Sequence, residues 1–107
     1  MTKPECHKDA LGLMHHLGGF SQWALDTRHT IDEVLVPGYF NPVRTHRVRS
    51  GDWIFANCAS PDGSTFEPCI LVVMVGCDTA LPGGAKADIE VVVLARPRLA
   101  TAQAVAA

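Results

Sequence analysis

No stretch of this chain is apolar for the roughly 20 residues that a membrane-spanning helix requires. The longest apolar run, CILVVMVGC from Cys69 to Cys77, is less than half that length. Charge is also sparse: Asp, Glu, Lys and Arg make up 19% of 107 residues, and nine basic against eleven acidic side chains leave a net charge of −2. A chain so balanced sets up no long-range field toward nucleic acid or an anionic membrane. The opening MTKPECHKDA lacks the basic-then-apolar order of a secretory leader, so synthesis in the cytoplasm is expected, where cysteines stay reduced.

Signatures of chemistry are missing as well. No G-x-S-x-G elbow is present, and LPGGAK has neither the spacing nor the Ser/Thr of a phosphate loop. Cys6-His7 and His15-His16 offer thiolate and imidazole donors, but not the C-x₂-C and H-x₃₋₅-H spacing of a structural zinc site. His29 with Asp26 or Asp32 is a local grouping that reads as a solvated turn. The expectation is a protein with no enzymatic activity, no cofactor and no metal.

What is present is β-patterned. Residues 1–19 read as an N-terminal arm, because Leu11, Met14 and Leu17 have helical spacing that Gly12 weakens and Gly18-Gly19 ends. Residues 20–96 read as a β-domain, and the Ala-rich residues 97–107 as a C-terminal tail. FSQWALD alternates like a first strand. Thr30 stands three residues before Glu33, a capping box for a helical turn over 31–36 that Pro37-Gly38 stops. VRTHRV and DWIFANC read as strands joined at RSGD, with Gly51 in the turn. PDGS marks a second turn, CILVVMVGC a strand buried on both faces, and DIEVVVLAR the last strand. The fold expected is all-β: a small single-domain barrel or sandwich of about five strands, with one short helical turn and an extended N-terminal arm.

Four cysteines invite a pairing argument. A two-residue hairpin tip at Gly63-Ser64 sets Cys58 opposite Cys69, near disulfide reach at a non-hydrogen-bonded site. Cys69 and Cys77 share a strand about 26 Å apart and cannot bond each other. Cys6 lies on the arm, where a cross-chain bond is conceivable. The alternative is that these are small buried hydrophobes. In RTHRVRSGD the charges alternate between both faces of a strand, so no basic stripe forms; Trp53 and Phe55 do share a face. Nucleic-acid binding is therefore disfavoured.

The middle of the chain resembles a family of small virion-associated proteins of tailed bacteriophages. The resemblance rests on Thr30 and Asp32, then Gly38-Tyr39-Phe40-Asn41, then Gly51-Asp52-Trp53-Ile54, and spans about residues 26–95. The arm with Cys6 and the histidine pair departs from that pattern. The resemblance implies a β-rich, commonly trimeric structural subunit. Its implied role is a decoration (cement) protein that stabilises the head through contacts with the major capsid protein, resident in the virion. A neck, tail or fibre-base component, or a small β-barrel module binding protein or nucleic acid, is the alternative. The interface residues expected are Leu11, Leu13, Met14 and Leu17 of the arm, with Tyr39, Phe40 and Trp53 at a barrel end or subunit contact. In the oxidising surroundings of a released particle, Cys6, Cys58, Cys69 and Cys77 become candidates for cross-linking.

Overall fold

The computed structural model describes residues 4–79 and 81–96. Five strands form one mixed sheet in the order β1-β2-β3-β4-β5. They are β1 (Leu11–His16), β2 (Ser21–Thr30), β3 (Trp53–Ala59), β4 (Phe66–Val75) and β5 (Glu90–Ala95), with one short helix, α1 (Ile31–Val34). The expected β-rich single domain is what forms. The sheet stays open, however: β1 pairs only with β2 and β5 only with β4, so no barrel closes.

The segment read as an arm contains the first strand. Leu11 pairs with Leu25 and is buried, while Leu13 and Met14 project from the sheet edge. Period-2 alternation fails to announce β1 because a bulge falls between Leu13 and His15 and most of the strand is solvent-facing. The capping box forms as the sequence implies: Thr30 Oγ1 accepts from the Glu33 amide, and Glu33 Oε1 accepts from the Thr30 amide. Residues 43–48 do not form a strand. Asn41–His46 is a 3₁₀ turn with Pro42 at its start and Arg47 at φ 68° at its end. Pro42 suits the first turn of a helix, and the turn buries Val43.

β2 and β3 run parallel. A parallel pair cannot be joined by a tight turn, so residues 31–52 cross over one face of the sheet. That crossover supplies Ile31, Val34, Tyr39, Phe40, Val43 and Val48, all buried against Leu25, Ile54, Leu71 and Val91 from the strands. Among the described residues only this face is covered. Along β4 the side chains of Cys69, Leu71 and Val73 are buried, whereas Phe66 and Met74 are exposed and Ile70 and Val72 half-exposed. The apolar run therefore makes a strand buried on one side, not two.

Glycine matters where β4 ends. A Cβ on Gly76 would lie 2.4 Å from the Ser50 nitrogen and 2.5 Å from the Arg49 carbonyl carbon. The loop before β3 thus passes directly against β4, held by the Cys77 amide donating to the Val48 carbonyl at 2.7 Å.

Candidate functional site

Two polar groupings lie on or beside the covered face, and both serve to hold the fold. Asp52, 2% exposed, accepts from the Ser21 amide through Oδ1 and from the Trp23 indole and the Arg49 amide through Oδ2, each at 2.9 Å. It ties the start of β2 to the crossover's exit. The neighbouring cleft, of about 110 Å³, is lined by His16, Arg49, Ser50 and Asp78 among others. His16 Nδ1 lies 2.8 Å from Ser21 Oγ. Asp52 faces the Ser21 backbone, so it is not placed to orient His16, and no nucleophile–base–carboxylate relay is assembled.

The second grouping is Thr27, His29 and Tyr39. The Tyr39 hydroxyl sits 2.7 Å from His29 Nδ1 and 3.0 Å from Thr27 Oγ1, and its ring meets Phe40 edge-on with centroids 5.0 Å apart. Burial pushes the Tyr39 phenol up to about 12. Asn41 joins its own turn to a distant loop: its Oδ1 accepts from Arg44 Nη2 and from the Ile89 amide, and its Nδ2 donates to Asp88.

The four cysteines are free thiols. The Ser60 amide donates to the Thr65 carbonyl and encloses residues 61–64 between them, so the register places Ala56, not Cys58, opposite Cys69. Cys58 and Cys69 are diagonal neighbours on the buried face. Interaction with the Cys69 thiol, together with burial, holds the Cys58 thiol well above its ordinary range. Cys6 is buried beneath Tyr39, whose carbonyl accepts from the Cys6 amide at 2.8 Å, and burial pushes its thiol up to about 12. That position corrects the expectation of a Cys6 free to cross-link. Among the described residues no group of three or more His, Cys, Asp or Glu side chains is placed to hold a metal ion.

Among the described residues nothing covers the other face of the sheet. Gln22 and Ala24 on β2, Trp53 and Phe55 on β3, Ile70 and Val72 on β4, and Val92 on β5 point away from the crossover. Phe66 is 63% exposed and Met74 57%. A shallow trough of about 540 Å³ runs along this face past Phe55, Asn57, Pro68, Ile70 and Ala95. Arg96 also lines the trough, and Asp26 and Arg28 are exposed on β2 on the same side of the sheet. The continuity of this apolar patch makes the face the candidate contact surface.

The interface residues expected from sequence divide three ways. Trp53 lies on the uncovered face, half-buried beside Phe20 with ring centroids 6.0 Å apart. Leu13 and Met14 are exposed on the edge strand, and Leu17 is half-buried just beyond it. Leu11, Tyr39 and Phe40 are core residues with 4%, 1% and 0% exposure, since the crossover folds onto the sheet instead of capping a barrel. Sequence reasoning missed Phe66, Met74 and Val92. Met74 belongs to the second apolar phase of a run that reads as buried on both faces, Val92 to the apolar run of the last strand, and Phe66 to a segment that reads as turn.

No protein-family model, no curated protein and no solved structure matches this chain.

Proposed function

We propose that this chain is a structural assembly subunit of a tailed-phage particle, seated on the head shell as a decoration (cement) protein. The observation that carries the reading is the one-layer sheet with an apolar, uncovered face. Nothing among the described residues covers that face, and monomers of this size rarely keep a contiguous apolar patch in water. The edge strand β1 adds a second contact, because among the described residues its outer backbone groups have no ladder partner and Leu13 and Met14 flank them. The motif residues behind the phage resemblance all have places in this architecture. Thr30 caps α1, Gly38 turns the crossover at φ 89°, Tyr39 and Phe40 fill its core, and Asp52 anchors its exit. Cement proteins work by spreading many modest contacts over neighbouring shell subunits, and symmetry repeats them into high avidity. A surface made of apolar area and an open strand edge suits that task.

The test is peptide mass spectrometry and immunogold labelling of particles purified from a strain that carries this sequence. Decoration predicts many copies per particle, with label over heads. Label confined to tails or necks would move the role to those parts. A protein abundant in producing cells but missing from particles would remove the virion reading.

A further inference from the structure

The uncovered face has an internal symmetry of its own. On β4 it presents Phe66, Pro68, Ile70, Val72 and Met74, so that the two most exposed large side chains lie four residues either side of Ile70. We propose that a second copy of this chain covers the face, related by a two-fold axis perpendicular to β4 that passes over Ile70. This inference names the partner of the surface described above and rests on its being an assembly surface.

Under that axis Phe66 of each copy meets Met74 of the other at both ends of the strand pair. A thioether against an aromatic ring is a favourable contact. The isologous arrangement makes one such contact into two. On β3 the axis brings Phe55 toward Phe55 of the second copy, and on β2 it brings Asp26 toward Gln22, following the observed registers. On β5 the axis passes over Ala95 and brings Arg96 toward Arg96 of the second copy, each guanidinium lying 4.0 Å from Glu67 of its own chain.

The area is sufficient. Four strands at about 4.8 Å spacing, over the eight steps of about 3.3 Å from Phe66 to Met74, make a footprint of roughly 500 Å². Two such faces hide about 1,000 Å², the lower end of what a specific interface buries. The product is an aligned two-layer sandwich, the usual way for two one-sided sheets to bury their apolar faces. It also accounts for the apolar character of both phases of β4: one phase packs under the crossover and the other packs against the second copy.

Sedimentation equilibrium of the full chain, with circular dichroism as the folding control, tests the axis through charge pairing. The wild type should dimerise. Phe66→Lys and Met74→Glu are exposed substitutions that leave the core intact, and each alone should weaken the dimer at least tenfold. Mixing the two variants should restore it, because Lys at 66 of one copy then faces Glu at 74 of the other while a native Phe66–Met74 contact remains at the opposite end. A monomeric wild type, a trimer, or mixed variants that stay monomeric would each overturn the two-fold stack. Those results would leave the particle role standing, since that is read from particle composition. Absence from particles with dimers intact would do the reverse.

Discussion

Replacing Asp52 by asparagine removes one charge and changes almost no volume, so its cost isolates the three hydrogen bonds at the crossover's exit. In the native protein Oδ1 accepts from the Ser21 amide, and Oδ2 accepts from the Trp23 indole and the Arg49 amide. Asparagine keeps one oxygen. If that oxygen takes the Oδ2 position, the new amide group faces the Ser21 N–H, two donors opposed. In the reverse orientation two native donors lose their acceptor. A buried donor left unpaired costs about 1–3 kcal/mol, and the surviving bonds lose their charge assistance, so the total is about 2–4 kcal/mol. With a urea slope of about 2 kcal/mol per molar, the unfolding midpoint should fall by about 1–2 M. Asp52→Ala strands all three donors and should cost more. Trp23→Phe combined with Asp52→Ala should cost about 1 kcal/mol less than the sum of the single changes, since they share a bond. Urea titration followed by tryptophan fluorescence and circular dichroism reads all of this. An asparagine variant within about 0.5 kcal/mol of wild type would refute the claim that this carboxylate anchors the crossover.

Gly76→Ala should lower stability by about 3 kcal/mol or more, because its Cβ meets backbone at 2.4 Å and backbone cannot rotate aside. Gly12→Ala, whose Cβ meets nothing within 4 Å, is the control and should change little by the same urea titration. Alkaline pH should destabilise the fold. Burial raises Cys6 from 9.0 and Tyr39 from 10.0, each to about 12, so the folded state favours the protonated forms. Their contribution is complete below pH 9 and is lost as pH rises from there toward 12, at no more than about 1.4 kcal/mol per pH unit per group. Tyr39 is the one tyrosine in the chain, so absorbance at 295 nm reports it alone. At pH 10.5 the native protein should be mostly phenol and the urea-unfolded chain mostly phenolate; equal ionisation in both would contradict the buried hydroxyl.

Several elements were legible because their causes are local. The Thr30–Glu33 box, the Gly51 turn at φ 90° and the Pro61–Ser64 turn depend on residues within a few positions of one another. The β-branched runs of β4 and β5 and the alternation of β2 and β3 likewise mark strands wherever they end up. Strand β1 left little trace, since an edge strand buries few side chains and a bulge breaks its phase. The 3₁₀ turn at Asn41–His46 carries the alternation of a strand, but its backbone has no neighbouring strand to pair with, and Pro42 favours a helical start.

By itself the sequence determined that this is one small β-rich domain with little surface charge, and it placed most of the strands and turns. Tertiary structure decided which way the second strand runs beside the third, and much follows from that parallel pairing. It sends the crossover over a single face, draws Tyr39 and Phe40 into the core and leaves Trp53, Phe55, Ile70 and Val72 facing outward. The physical reason is that a residue's hydrophobicity records that its side chain seeks cover. Whether that cover comes from the same chain or another is set by the path of the backbone, over separations that no local pattern encodes.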